Sequence, residues 1–312
     1  MESFRERVCL RALLEAQNQD GGWGYRRSSQ SAVEPSSWAI LALAGAGNLQ
    51  GAGAAVQNAV NWLRSVQLPD RSWPACAGLP EGCWVTALAG LALYEQGIAE
   101  EAARGAADWL CSTWPAEGAV WRRWLNRLTR GQRVVRIDLS LRGWSWTQGT
   151  SSWVEPTAVA LIFLKRMYAA SAPSNVAKRI KLAEAMLYDR MCPSGGWNSG
   201  NPQVYGVAGE PLAGPTAWAL LALQNYPERQ ENRQSLEGLV SAASEMRSPG
   251  SLAVSELCLA AYGRKISSLP ETLEVAYDEN RFLGNILVTA WCALALGDPV
   301  DWLCWSRAKE HA

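Results

Sequence analysis

Residues 214–223 read Gly-Pro-Thr-Ala-Trp-Ala-Leu-Leu-Ala-Leu, and this stretch decides the fold because related copies of it recur along the chain. The other copies occupy residues 33–43, 85–93, 154–161, 288–294 and, in more degenerate form, 249–262. They are apolar on nearly all sides, which is typical of helices buried on both faces. In four copies a proline stands at or near the start, where the first turn of a helix tolerates its missing N–H. The pattern predicts a repeat protein with buried helices.

Amphipathic segments alternate with these copies, since they carry apolar residues at helical spacing and charges elsewhere. They span residues 8–17, 54–67, 100–112, 176–191, 233–245 and 272–283, with a terminal cap at 300–307. Buried helices that alternate with amphipathic ones form two concentric rings, and closing the rings removes the need for capping repeats. We therefore predict an all-α protein, an (α/α)6 barrel of six helix hairpins that spans residues 1–312 as one domain.

Several amphipathic helices end in the same turn. Residues 17–23 read Gln-Asn-Gln-Asp-Gly-Gly-Trp, and related turns occupy residues 67–73 and 191–197, with a worn copy at 114–120. Glycine supplies the left-handed turn that ends a helix, and the tryptophan is expected to fold back against it as a large apolar plug.

These turns resemble the QW motif (Gln-x3-Gly-x-Trp) of squalene-hopene and oxidosqualene cyclases. The buried helix starts look like the inner helices of those cyclases and of protein prenyltransferase β-subunits. The resemblance covers about the whole chain. It implies the α/α toroid fold of that superfamily, here as a stand-alone single barrel.

Composition excludes several classes of partner. Lys+Arg and Asp+Glu both number 29, so no net charge attracts the chain to nucleic acid.

The eight cysteines are irregularly spaced and several lie in apolar runs, which favours reduced, buried thiols and the cytoplasm. No apolar leader is visible at the N-terminus, and the longest apolar stretches are too short to span a bilayer. We expect a cytoplasmic protein, or one attached peripherally to the inner membrane.

Residues 115–153 break the repeat pattern and are interpreted as an inserted basic, Trp-rich segment. Residues 118–130 combine Trp and Leu at helical spacing with several arginines, which predicts a short basic amphipathic helix. Residues 135–142 alternate apolar and polar side chains, which predicts a strand. The segment is a surface lid, a membrane contact through 118–130, or a mouth at which Arg136 and Arg142 bind an anionic head group.

The candidate site follows from the barrel geometry. Inner helices of such a barrel run parallel, so their N-termini meet at one mouth. Glu34 and Glu155 stand near these starts. An apolar, Trp-lined substrate cavity is expected there, walled by Trp38, Trp84, Trp153, Trp218 and Trp291.

The resemblance also implies a role for Glu155. Class II terpene cyclases use an Asp-x-Asp-Asp-Thr-Ala segment to protonate their substrate, and residues 153–158 read Trp-Val-Glu-Pro-Thr-Ala. Glu155 matches the acid-donating position, whereas Trp153 and Pro156 replace the flanking aspartates. Glu155, or alternatively Glu34, is the implied proton donor. The simpler interpretation makes both glutamates helix-capping residues of the rim.

Three functions remain open at this stage. The first is an isoprenoid cyclase-like isomerase acting on a polyprenyl substrate. The second is a non-catalytic barrel that binds an isoprenoid or a partner protein, and the third is a carbohydrate-active barrel. Neither a metal nor another cofactor is expected. Glu81 and Cys83 resemble part of the prenyltransferase zinc site, but the one histidine is His311, near the C-terminus. A homodimer or a second subunit would seal the mouth.

Overall fold

The computed structural model describes residues 3–47, 49–116, 137–169, 171–298 and 303 of the chain. Within these ranges the structure is built from outer and inner helices that alternate along the chain. The outer helices are α1 (a π-helical stretch, Arg5–Leu10, continued by Arg11–Ala16), α3 (Ala52–Ser65), α5 (Glu100–Ser112), α7 (Ser174–Asp189), α9 (Gln230–Ala243) and α11 (Leu269–Asn280). The inner helices are α2 (Val33–Ala44), α4 (Val85–Gln96), α6 (Val154–Met167), α8 (Ala213–Ala222), α10 (Pro249–Ala261) and α12 (Ile286–Ala295).

The inner helices form a closed ring. Each packs against the next one along the chain, and α12 packs against α2. Each outer helix packs on an inner helix, and α1 lies against α12, the last helix in the described ranges. The predicted all-α toroid is confirmed, because these contacts close the ring without an open edge. Sheet structure in the described ranges is limited to a short hairpin, β1 (Gln203–Val204) and β2 (Val207–Ala208), and isolated bridges.

A tryptophan holds each of four turns between an outer and an inner helix. These indole rings are almost fully buried, and each Nε1–H donates to a main-chain carbonyl of an outer helix. The donors and acceptors are Trp23 and Leu13, Trp73 and Leu63, Trp144 and Leu110, and Trp197 and Leu187. The QW-like turns are therefore clamps, since each indole joins the loop before an inner helix to an outer helix.

The described part of the inserted segment differs from the sequence expectation. Residues 137–142 do not form the predicted strand; they form a turn in which the Asp138 carboxylate accepts from Ser140 N at 2.8 Å. The Asp70 carboxylate caps Ser72 N in the same way in an earlier turn. The apolar alternation was misleading because Leu141 packs on the core from an irregular loop.

The clamp before α6 is Trp144, whereas most of the predicted worn copy of the turn, at 114–120, lies outside the described residues. Trp114 is 45% exposed and makes no clamp. Its ring instead lies under two guanidinium groups, those of Arg142 and Arg179. The predicted basic helix at 118–130 and Arg136 lie outside the described residues.

A buried ion pair caps the C-terminal end of α8. The Lys165 ammonium, from the last turn of α6, donates to the Ala222 carbonyl at 2.5 Å and lies 2.6 Å from the Glu184 carboxylate. Tyr226 donates its hydroxyl proton to the other Glu184 oxygen at 2.8 Å. Helix-end carbonyls without intrahelical partners need such donors when they are buried. The pair thus ties α6, α7 and α8 together at the end of the barrel opposite the inner-helix starts.

Candidate functional site

The N-terminal ends of the inner helices lie at one end of the ring, which we call the mouth. Main-chain bonds connect the start of one inner helix to the loop that precedes a neighbouring one. They run from Val33 N to Ala75 O, Trp84 N to Trp146 O, Val154 N to Ser199 O and Ile286 N to Tyr25 O, at 2.9–3.3 Å. The last of these joins α12 to the loop before α2. Groups at these helix starts therefore share one opening of the barrel.

Glu34 is the second residue of α2 and is half-buried at the mouth. The Tyr25 hydroxyl donates a hydrogen bond to its Oε2. Burial raises the pKa of Glu34 to about 7, although the bond from Tyr25 acts in the opposite direction. A carboxyl with such a pKa exists in both protonation states near neutrality, so it can donate or accept a proton.

Glu155 occupies the equivalent second position of α6. Its Oε1 accepts from the Ser199 hydroxyl over 3.5 Å, a distance at the limit for a hydrogen bond. Its Oε2 is buried and has no hydrogen-bond partner among the described residues. Burial raises the pKa of Glu155, whereas hydrogen bonds from its own main-chain N–H and from the Ser199 hydroxyl act in the opposite direction. This environment favours the neutral carboxylic acid, which is the form that can donate a proton.

Three of the predicted tryptophans meet inside the ring. The ring centroids of Trp38 and Trp218 lie 5.3 Å apart, and Trp291 lies 6.1 Å from each of them. Trp38 and Trp218 are 2% and 6% exposed, whereas Trp291 is half-buried. The three indoles form one apolar cluster, which we call the Trp layer.

The other two predicted tryptophans lie at the rim and not in the Trp layer. Trp84 precedes α4 and packs edge-on against Trp146, with ring centroids 4.9 Å apart. Trp153 precedes α6, and its main-chain N–H donates to the Trp144 carbonyl at 3.0 Å. Both side chains are half-buried. The five tryptophans are thus divided between a central layer and the rim above it.

Arg142 belongs to a different cluster, on the side of the outer helices. Its guanidinium carbon lies 4.1 Å from the centroid of Trp114, the ring that also stacks on Arg179. Arg179, on α7, is sandwiched between Trp114 and Trp144 and donates to the carbonyls of Arg142 and Gly143. Through these contacts the two arginines stabilise the loop before α6.

Sequence reasoning missed Tyr25 and Ser199, the partners of the two glutamates. Both belong to loops that precede inner helices, and their own main-chain carbonyls accept two of the rim bonds. The available signal was the recurrent pair of a clamp tryptophan and a helix hydroxyl, such as Trp23 with Ser36 and Trp197 with Thr216, because the bond between them folds the loop back over the helix start.

Two further properties concern metal binding and membrane-spanning helices. In the described ranges, no group of three His, Cys, Asp or Glu side chains is arranged to hold a metal ion. No helix in the same ranges is long and apolar enough to cross a membrane.

Neither models of known protein families nor the sequences of curated proteins match this chain. Solved structures do. The type II terpene cyclase MstE from Scytonema, in complex with its substrate geranylgeranyl dihydroxybenzoate, superposes with a TM-score of 0.53 at 14% identity, over 89% of this chain and 77% of that one. An α-1,6-mannanase from Salegentibacter, in complex with α-1,6-mannotriose, has a TM-score of 0.55 at 9% identity, over 93% and 98%. An endo-1,4-D-glucanase from Vibrio fischeri has a TM-score of 0.55 at 11% identity, over 94% of both chains. The chain therefore has the α/α toroid fold that terpene cyclases and glycoside hydrolases share.

Proposed function

We propose that this protein is an isoprenoid cyclase-like enzyme in which Glu155 protonates a polyprenyl substrate at the mouth of the toroid. The observation that carries the proposal is the state of the Glu155 carboxyl. One of its oxygens is buried without a partner, and burial raises its pKa. An acid that protonates carbon must be neutral and desolvated in its resting state, and these conditions favour that state.

The Trp layer supplies the second element. Protonation of an alkene places positive charge on the neighbouring carbon, and indole faces attract such a charge through their π electrons. The apolar surroundings also keep water from intercepting the cation. The proton given at the start is lost again when the cyclised cation forms its final double bond. The reaction is therefore an isomerisation that consumes no co-reactant.

The source of acidity differs from that in the cyclases the sequence resembles. Trp153 and Pro156 stand where flanking aspartates are expected, and the polar neighbour of Glu155 is the Ser199 hydroxyl. In this proposal the proton affinity of Glu155 is set mainly by desolvation. Glu34 is the alternative donor, because its pKa of about 7 also keeps it partly protonated near neutrality.

The test is incubation of the purified protein with squalene, farnesyl diphosphate and geranylgeranyl diphosphate, followed by extraction and identification of hydrocarbon products. Glu155→Gln should abolish product formation. Glu81→Gln is the matched control, because Glu81 lies in a rim loop but is exposed. Loss of activity in Glu34→Gln with retention in Glu155→Gln would transfer the role to Glu34, and retention in both variants would contradict the mechanism. Tight binding without product would identify a non-catalytic isoprenoid-binding barrel.

A carbohydrate-active enzyme is the second candidate. The share of each matched structure that this chain covers favours it. The match covers 98% of the mannanase and 94% of the glucanase, but 77% of the terpene cyclase. Glycoside hydrolysis also uses a carboxylic acid of raised pKa beside a second carboxylate. Incubation with α-1,6-mannotriose and with cello-oligosaccharides tests it. Release of shorter sugars, lost in Glu155→Gln or Glu34→Gln, would replace the isoprenoid assignment.

A further inference from the structure

A cavity of about 270 Å³ lies between the C-terminal halves of inner helices α10 and α12, at the end of the barrel opposite the mouth. The loop after α10, the start of α11 and the residues that follow α12 complete its walls. We propose that this cavity binds a small organic cation, an ammonium group on an apolar body, through the carboxylate of Glu256. The cavity shares no residue with the proposed site at the mouth.

The inner part of the cavity is apolar. Leu257, Leu269 and Leu294 line it and are 3–5% exposed. Since a cavity of roughly 150 Å³ holds benzene, this volume suits a six-membered ring that carries a short polar substituent. The opening to solvent is polar, because Lys265 and Asp298 also line the cavity and are exposed. The cavity therefore fits a ligand with one apolar end and one polar end.

Glu256 supplies the charge of the inner wall. It is 6% exposed, and its Oε2 accepts a hydrogen bond from the main-chain N–H of Ile266 at 2.7 Å. Among the described residues, Oε1 has no hydrogen-bond partner and the carboxylate has no ion pair. Burial raises the pKa of Glu256, although the bond from Ile266 and the charge of Lys265 act in the opposite direction. Buried carboxylates are normally paired, so a bound cation stabilises the charged form here.

Two other carboxylates of the barrel show which partner Glu256 lacks. Glu95, near the C-terminal end of α4, is paired with Arg166 of α6 at 2.8 Å. Glu184 is paired with the buried ammonium of Lys165 at 2.6 Å. Glu256 instead faces the cavity. The ligand cation thus takes the place that a side-chain cation has in the other two cases.

The end of α12 also favours a cation over an anion. Leu294 and Ala295, the last two residues of this helix, line the cavity. Carbonyl groups at a helix C-terminus carry a partial negative charge, which stabilises cations nearby. The described lining residues include two carboxylates, those of Glu256 and Asp298, against the one ammonium of Lys265. The balance of charge around the cavity is therefore negative.

Three probes with the same ring test the preference for positive charge. At neutral pH benzylamine carries an ammonium group, benzyl alcohol is neutral and benzoate carries a carboxylate. In calorimetric titrations of the full chain, benzylamine should bind roughly tenfold or more tightly than benzyl alcohol, because it adds a charge-assisted hydrogen bond. Benzoate should bind more weakly than either.

Glu256→Gln removes the charge while its amide oxygen can still accept from Ile266 N. The affinity for benzylamine should fall roughly tenfold or more, whereas that for benzyl alcohol should stay the same. Lys265→Ala removes a competing cation and should strengthen benzylamine binding. The matched control is Glu271→Gln, which removes an exposed carboxylate at the start of α11 and should change little.

A larger side chain at Ala260 locates the binding. Ala260 lines the cavity, so Ala260→Leu should weaken the binding of benzylamine and of benzyl alcohol alike. Thermal unfolding of each variant verifies that it folds. Ala260→Val is the milder variant if the leucine protein does not.

The contrary outcomes are distinct. If the wild-type protein binds benzylamine no more tightly than benzyl alcohol, or if Glu256→Gln keeps the preference, the cation site is wrong. A preference for benzoate that is lost in Lys265→Ala would assign the cavity to anions and overturn the proposal. Loss of benzylamine binding in Glu34→Gln or Glu155→Gln, with retention in Glu256→Gln, would place the ammonium at the mouth and overturn it as well.

Discussion

The main-chain N–H of Trp73 donates to the hydroxyl of Thr86 at 2.9 Å, and this bond joins the turn after outer helix α3 to the first turn of inner helix α4. The same bond recurs between Trp23 and Ser36, Trp144 and Thr157, and Trp197 and Thr216. In these repeats a hydroxyl occurs in an otherwise apolar helix, where it accepts a hydrogen bond from a buried main-chain N–H. The repeated Ser or Thr is therefore a structural element of the fold.

Replacing Thr86 with valine should lower the free energy of unfolding by ~1–3 kcal/mol, because the shape is kept while the buried Trp73 N–H loses its acceptor. Thr86→Ser retains the hydroxyl and should cost less. Urea denaturation followed by tryptophan fluorescence measures both changes. Equal stabilities of the valine and serine variants would show that the hydroxyl contributes nothing.

This bond also explains which parts of the fold the sequence reveals. The turns of Trp23, Trp73 and Trp197 are recognisable because each follows a helix and contains Asp or Gly at the expected positions. Trp144 lacks a preceding Gln and follows an alternating run, so local pattern favoured a strand. The thirteen-residue distance from Trp144 to Thr157 equals that from Trp73 to Thr86, and it identifies the turn where the local pattern fails.

The site was predictable only in part. Glu34 and Glu155 are conspicuous in the sequence, since each stands one residue into an apolar helix start. Their partners Tyr25 and Ser199 lie in irregular loops, whose course depends on tertiary contacts. The contact between Trp38 and Trp218 requires the circular order of the helices and the diameter of the ring, and no local pattern contains either quantity.

Glu34 should make stability depend on pH. Its pKa is about 7 in the folded protein against an ordinary value of 4.5, so between these pH values the folded state holds a proton that the unfolded state has lost. The free energy of unfolding should therefore fall as pH rises from 4.5 to 7, by up to ~3 kcal/mol, and level off above. The difference between wild type and Glu34→Gln, measured by urea unfolding across this range, isolates the effect. A pH-independent difference would refute it.

Tyr25→Phe provides the complementary prediction. The phenol donates a hydrogen bond that lowers the pKa of Glu34, so its removal should raise this pKa further above the ordinary value. Infrared difference spectroscopy of the carboxyl stretch follows the titration. Tyr205→Phe is a suitable control, because Tyr205 is exposed at the tip of the hairpin. A lower pKa in Tyr25→Phe would mean that the phenol does not stabilise the carboxylate.

Arg179→Lys should destabilise the loop before α6 although it conserves the charge. The guanidinium carbon lies 3.8 Å from the Trp144 centroid and 4.5 Å from that of Trp114, and the same group donates to two carbonyls. Lysine offers neither a planar surface to stack nor a fork of donors. We expect a loss of ~1–3 kcal/mol in the free energy of unfolding, in keeping with lost hydrogen bonds to a charged group. Lys178→Arg, on the exposed side of the same helix, should change little.

Removing one charge of the buried Lys165–Glu184 pair should destabilise the protein more than removing both charges. Their side chains are 11% and 8% exposed, so Lys165→Met leaves an uncompensated buried carboxylate and should cost ~3–5 kcal/mol. Adding Glu184→Met removes that charge and should restore much of the loss, because two apolar side chains of similar volume need no desolvated partner. Thermal and urea unfolding of the two single variants and the double variant form a double-mutant cycle. If the double variant is as unstable as the sum of the single variants, the two charges do not depend on each other, and the pair is not what joins α6, α7 and α8.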